Sequence, residues 1–278
     1  MRASSSKNKP LALLWLRDDL RLSDHPALHA ALEKAYAVLP VYIEEATTPE
    51  RRPLGAATKV WLHHALTALQ SALEEKGSTL VIKRGDALSV LKQLIDQTGA
   101  TALYWSRRYG EQERATDTAI KNFAKERGLD VESFNAHLLV EPWQVTTKTG
   151  QPMKVFTPFW RAARALGDPS PPLPAPKKIP LPDLDLSELK SLSVSQLKLL
   201  PKKPDWASPM LAHWTISEKG AHNRLTAFLT HGLKGYAEDR NRPDLDHVSR
   251  LSPYLRFGMI SSRQVWHAAV SYTHLRAH

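Results

Sequence analysis

The chain reads as an α/β protein: an amino-terminal, doubly wound, parallel five-stranded sheet of Rossmann-like form, a long linker, and the first helices of an all-α domain. Three observations predict this. Between residues 11 and 134, five short strand-like runs alternate with segments of helical period, the order that builds a parallel sheet through crossover helices. Thirteen of the twenty prolines then fall within 136–209. Helical spacing resumes from Trp206.

The elements follow in order. LALLWL (11–16) is apolar throughout, as a strand buried on both faces should be. AVLPVYI (37–43), TLVIK (79–83), TALYWS (101–106) and DVESF (130–134) are the other four strands. Apolar residues at helical spacing predict helices over 25–35, 56–77, 87–99 and 111–128, with Gly77, Gly99 and Gly128 at their ends. Seven prolines within 169–182 exclude helix and central strand, so this stretch reads as an extended connector over the surface. Inside the linker, QPMKVFTPFWRAARAL (151–166) is aromatic enough to be ordered. SEKGAHNRLTAFLTHGL (217–233) reads as one amphipathic helix and 252–270 as two more. The basic, serine-rich start lacks the apolar core of a secretory signal and reads as a disordered leader over 1–10.

Composition narrows the function. The absence of cysteine excludes disulfides, thiol catalysis and thiolate metal sites, and suits a cytoplasmic protein. No apolar run approaches the roughly 20 residues that span a bilayer, so no membrane partner is expected. A formal charge of +10 favours a polyanionic partner, nucleic acid first, unless it serves only solubility.

Four stretches carry candidate chemistry. WLRDDLRLSDHPAL (15–28) leaves the first strand at its ligand-bearing end, yet lacks the glycine fingerprint of dinucleotide binding. Arg17, Asp18, Asp19 and Arg21 are expected to lock this turn against a neighbouring domain, and Ser23 or Asp24 to cap the next helix. SRRYGEQERATD (106–117) suits a planar heteroaromatic ligand, with Tyr109 stacking and Gln112 and Glu113 hydrogen bonding. The alternative is a polar helix entry in which Glu111 and Glu113 favour the dipole. His63 and His64 are adjacent on a helix, point about 100° apart and cannot share a metal. No metal site and no Ser-His-Asp arrangement is expected. In HGLKGYAEDRNRPDLDHVSRLSPYL (231–255), Ser252 is an N-cap candidate with Pro253 at the first helical position. That helix start, with the Ser249 hydroxyl, is a seat for a phosphate or simply a cap.

WLRDDLRLSDHPAL, KVFTPFWRA (154–162) and SRLSPYLRFGMISSRQVW, in this order and spacing, resemble the photolyase/cryptochrome family, most of all its bacterial class I cyclobutane pyrimidine dimer photolyases. The resemblance runs from Leu11 to about Val270. It implies an antenna domain over 11–135, an inter-domain linker over 136–205 and the incomplete start of a helical FAD-binding domain over 206–270. SYTHLRAH (271–278) departs from the family pattern and reads as a non-native end. The segment matching 248–252 wraps the FAD diphosphate in the family. This implies FAD contacts for Tyr236, Val248, Ser249, Arg250, Leu251 and Ser252, with Val248 where many members have threonine. Arg240 matches a position near DNA phosphates. Gln112 and Glu113 match positions that hold the pterin of a 5,10-methenyltetrahydrofolate antenna, although glutamine replaces the usual asparagine.

The implied activity is light-driven DNA repair. Light collected by the antenna reaches reduced FAD, which splits a flipped-out pyrimidine dimer by electron transfer. Damaged DNA is the implied partner, and a monomer is expected. The family's catalytic residues lie beyond residue 278, so none is assigned here. The chain as given is expected to be inactive, with 206–270 loosely packed. A cryptochrome-type photoreceptor and a stand-alone folate- or nucleotide-binding α/β module stay open as alternatives.

Overall fold

The computed structural model describes residues 9–45 and 53–276. All of the expected leader except Lys9 and Pro10 lies outside the described residues, as do the last two residues of the expected non-native end. Five strands form one parallel sheet: β1 (Leu11–Leu16), β2 (Ala37–Glu45), β3 (Val81–Gly85), β4 (Ala102–Ser106) and β5 (Asp130–Phe134). Their order is β3-β2-β1-β4-β5, so the direction of winding reverses between β1 and β4. The carboxyl ends of those strands are where such a sheet holds ligands.

Every residue of β1 is buried, as a central strand covered on both faces must be. Pleating sends Leu11, Leu13 and Trp15 into one core and Ala12, Leu14 and Leu16 into the other. Helices α1 (Pro26–Glu33) and α2 (Ala56–Glu75) cover the second core, and α3 (Ala87–Thr98) and α4 (Glu111–Glu126) cover the first. Helix α3 ends as its sequence predicts, with Gly99 at φ 65° and its N–H on the Ile95 carbonyl.

The proline-rich segment is not a free surface connector. It contains α5 (Phe156–Ala165) and is tied to the sheet by backbone bonds. Ile179 is fully buried and donates to the Lys76 carbonyl at 3.0 Å. The Pro180 carbonyl accepts from Val38 at 2.8 Å, and Leu192 donates to Ile82 at 2.9 Å. Proline lacks the N–H but keeps its acceptor, so a proline-dense chain can still be hydrogen bonded from one side.

Helices α6 (Ala207–Leu211), α7 (Glu218–Ala227), α8 (Tyr236–Asp239), α9 (Ser252–Arg256) and α10 (Ser262–Arg276) complete the described chain. The single helix expected over 217–233 ends at Ala227; a π turn (Phe228–Gly232) and a 3-10 turn (Leu233–Gly235) follow. Gly232 lies so close to the His247 carbonyl that a Cβ would stand 3.1 Å from its oxygen. The chain widens where that contact must be admitted.

Nor are residues 206–270 loosely packed. Leu225, Leu251, Tyr254, Phe257, Met259 and Ile260 are buried in the same core as α1 and α2. Trp61 of α2 is the hub: its ring lies 5.2 Å from Trp214, 5.0 Å from Tyr254 and 6.5 Å from Phe257. Each such ring pair adds about 1 kcal/mol beyond the area it buries.

The 15–28 turn locks the two parts together through two of its four charges, Arg21 and Asp18; Arg17 and Asp19 instead pair on the sheet side, with Asp117 and His25. Arg21 is fully buried and donates to the carbonyls of Gly258 (2.8 Å), Ala136 (2.9 Å) and Asp24 (2.7 Å). Leu20 donates to the Phe257 carbonyl at 3.0 Å, and Asp18 pairs with Arg256 at 2.6 Å. Glu218 of α7 accepts the Leu22 and Ser23 amides at 2.7 and 2.9 Å and the Ser23 hydroxyl. The buried Asp24 carboxylate accepts from Leu173 N–H (3.0 Å), Ser261 Oγ (2.5 Å) and the Arg263 guanidinium. Ser23 and Asp24 are thus consumed by partners distant in sequence. His25 caps α1 instead, its Nδ1 accepting the Leu28 N–H at 3.2 Å.

Candidate functional site

Two regions gather the residues that the sequence singles out. The first is the turn between α8 and α9. Arg250 is left-handed (φ 49°) and Leu251 right-handed (φ −85°, ψ −12°). Successive residues of opposite hand draw neighbouring N–H groups into a concavity suited to an anion. Ser249 Oγ accepts the Leu251 N–H at 3.4 Å, and Ser252 is exposed. Leu251, not Ser252, is the N-cap residue of α9, and no side chain caps this helix. The left-handed turn at Arg250 brings the chain into helical geometry one residue early.

The flanks of this turn are fixed. Arg224 of α7 donates to the carbonyls of Val248 and Ser249, each at 3.0 Å. Arg250 pairs with Asp246 at 3.1 Å. Across the neck, His247 Nδ1 lies 2.6 Å from Asp239. A Cβ on Gly235 would stand 3.7 Å from the same nitrogen, so Tyr236 and Val248 flank one neck. The Tyr236 ring is 37% exposed, with Phe228 edge-on at 5.5 Å and the Arg240 guanidinium 5.7 Å from its centre. Arg240 is itself exposed and leans over the tyrosine.

The second region is a cleft of about 390 Å³ at the carboxyl ends of β1 and β2, within the size range of small-molecule sites. Its lining includes Arg17, Asp18, Glu45, Arg108, Gln112 and Glu113, with Arg256 and Phe257 from the end of α9. Gln112 is exposed and Glu113 half-buried. The Glu113 carboxylate folds back over Gly110, where an added Cβ would collide with it. Arg108 pairs with Glu45 at 2.9 Å. Arg17 is held by Asp117 (2.5 Å) and the Ser106 carbonyl (2.5 Å), its guanidinium 4.0 Å from the centre of the Trp15 ring. Burial depresses the Arg17 pKa, against the opposing pull of Asp117.

Tyr109 does not stack in this cleft. Its hydroxyl turns away to Glu141 (2.8 Å) and Asn135 (3.2 Å), in a group that also ties Arg107 to Glu141 at 2.9 Å. Burial and the Glu141 carboxylate push the Tyr109 pKa up. Gln112 and Glu113 are therefore brought together with Arg108 but not with the tyrosine. His63 and His64 lie with their rings nearly perpendicular, and burial lowers the His63 pKa. Among the described residues, no group of three or more His, Asp or Glu side chains is placed to hold a metal.

Arg224, Arg256 and Phe257 were not singled out by the sequence. Arg224 had a signal: it lies three residues after the buried Ala221 and one before the buried Leu225, a cation beside the apolar face of its helix. Arg256 and Phe257 enter the cleft only through tertiary packing.

Comparison with known proteins decides the family. The DNA photolyase family model matches residues 12–177. The chain belongs to the DNA photolyase family. Among curated photolyase relatives, the deoxyribodipyrimidine photo-lyase of Agrobacterium fabrum is 46% identical over 264 residues, covering 95% of this chain and 54% of that protein. Cryptochrome-1 of Arabidopsis thaliana is 31% identical over 259 residues, 92% of this chain and 37% of that protein. The crystal structure of a bacterial class III photolyase from Agrobacterium tumefaciens superposes with a TM-score of 0.89 at 44% identity, over 96% of this chain and 54% of that one. The chain spans about half the length of the curated photolyases it matches.

The class I expectation gives way to this class III likeness. The motifs that suggested class I hold Arg21, Asp24 and Gly258, whose bonds join the sheet to the helices. That structural duty carries no information about subclass.

Proposed function

We propose that this chain is part of a light-driven DNA-repair photolyase, with an antenna domain (11–135), a linker (136–205) and the start of a helical FAD-binding domain (206–270). The single observation that carries this reading is the turn of opposite-handed residues at Arg250 and Leu251, beside two serine hydroxyls and an exposed tyrosine face. These groups fit an FAD: backbone N–H groups for its diphosphate, Ser249 and Ser252 as hydroxyl donors, and Tyr236 for an apolar ring or ribose. Val248 and Leu251 then serve by backbone and packing, and Arg250 adds positive charge. Bound FAD supplies a photoexcitable one-electron donor; the residues here bind and orient it.

The cleft beside Gln112 and Glu113 is the proposed antenna site. Its exposed amide and half-buried carboxylate are complementary to the donor and acceptor edge of a pterin, so 5,10-methenyltetrahydrofolate suits it. Arg240 is the proposed DNA-phosphate contact, supported by its exposure and by the +10 charge. Damaged DNA is then the partner and pyrimidine-dimer cleavage the lyase activity, of the class III type, in a cytoplasmic monomer. No helix among the described residues is long and apolar enough to cross a membrane.

The test is a fluorescence titration of the purified chain with FAD, followed by binding to oligonucleotides with and without a thymine dimer. Quenching of flavin emission and preference for the dimer are expected. Undiminished flavin emission refutes the FAD site. The identity with a plant cryptochrome favours a second reading, a blue-light receptor. Flavin binding with no preference for the dimer supports it.

A further inference from the structure

We propose that Arg224 is a positioning residue for the anion-binding turn at 248–252, acting through the carbonyls of Val248 and Ser249 rather than by touching the ligand. The inference rests on the FAD site proposed above. Arg224 Nε donates to Ser249 O and Nη2 to Val248 O, both at 3.0 Å, and Nη2 also reaches Asp246 at 2.9 Å. In a planar trans peptide, each C=O points opposite to the N–H that follows it. Drawing the Val248 and Ser249 carbonyls towards α7 therefore turns the Ser249 and Arg250 N–H groups away from it. Among the described residues, neither amide has a backbone partner. The left-handed Arg250 then bends the chain so that the Ser252 amide follows on, while the Leu251 N–H is held by Ser249 Oγ.

Only arginine suits this task. A planar fork meets three acceptors at fixed angles, whereas a lysine ammonium offers the charge without the fork. Asp246 accepts from Arg224 and also pairs with Arg250, so one carboxylate oxygen bridges the two guanidinium groups and offsets their repulsion. The hydrogen bond from Arg224 keeps the Asp246 carboxyl below its ordinary range. The anion-facing work then falls to backbone N–H groups, and Arg224 sets their direction from behind.

The experiment compares the wild-type chain with Arg224→Lys, Arg224→Gln and Asp246→Asn, by FAD titration and by amide hydrogen exchange without ligand. Loss of the fork lowers FAD affinity about tenfold in Arg224→Lys, although the charge is kept. Exchange at Leu251, whose N–H is held by Ser249 Oγ, accelerates in both Arg224 variants, while the sheet amides are unchanged. Asp246→Asn, which spares both carbonyl bonds, costs at most about threefold. Arg224→Lys binding FAD within about twofold of wild type overturns the positioning role and leaves the FAD site standing. A wild-type chain with no FAD affinity overturns the site itself, and the role of Arg224 with it.

Discussion

Arg21 Nη1 donates to the Gly258 carbonyl at 2.8 Å, joining the first strand-to-helix turn to the turn between α9 and α10. Gly258 is suited to this place twice over. Its φ is 62°, and a Cβ would run into the Asp18 carbonyl. Gly258→Ala must move one backbone off the other, and we expect a loss of about 3 kcal/mol. Urea denaturation followed by tryptophan fluorescence reads it; a midpoint unchanged from wild type would show that the two turns are not held in contact.

Asp24 binds three partners from inside the core, so removing its charge leaves Arg263 without a counter-ion. Asp24→Asn should cost about 3 kcal/mol. With Arg263→Met added, the double variant should lose less than the sum of the two single changes, because the uncompensated cation is gone. Strict additivity in the denaturation series contradicts the pair.

Asp19 gives the protein an acid limit. Burial pushes its carboxyl pKa up, but the His25 ring at 3.0 Å, the Arg17 amide and Ser106 outweigh that and hold it far below the ordinary carboxylate range. A depressed folded pKa means that the unfolded chain takes the proton more readily. The stabilisation is therefore present above the unfolded carboxylate value of about 4 and is lost as pH falls below it. Stability measured from pH ~6 to pH ~3 should fall more steeply in wild type than in Asp19→Asn. Parallel curves would assign no such linkage to this carboxylate.

Glu113 and Gln112 separate a ligand role from helix capping. Glu113→Gln keeps a hydrogen-bonding side chain over Gly110 but removes the negative charge, so the melting temperature should change by no more than about 2 °C. Gln112→Ala should leave stability unchanged yet weaken folate binding about tenfold by loss of the exposed amide, read from folate fluorescence. Equal folate affinity in Gln112→Ala and wild type removes this residue from the antenna site.

Where local pattern and tertiary structure agree, the sequence was legible. LALLWL is a buried strand because both its faces meet helices, and Gly99 ends α3 because the chain turns left-handed there, at φ 65°. The charged turn at 17–24 was readable as a lock because four charges directly after a buried strand need partners. What those partners were could not be read. Asp24 looks like a cap until Ser261 and Arg263 claim it, and those residues lie more than two hundred positions away. Tyr109 sits in a helix-entry pattern whose direction is set by Glu141, which no local periodicity reveals. The proline tract hides its order for a similar reason, since its bonds run through backbone N–H and carbonyl groups between the prolines, which no side-chain pattern marks.

One short element joins the two proposed sites. Helix α9 starts at Ser252, within the turn assigned to the flavin, and its far end, Arg256 with Phe257, forms a wall of the antenna cleft. Five residues of helix advance about 7 Å, and each contributes roughly 100° of rotation. Inserting or deleting a single residue there would swing one site about a third of a turn relative to the other.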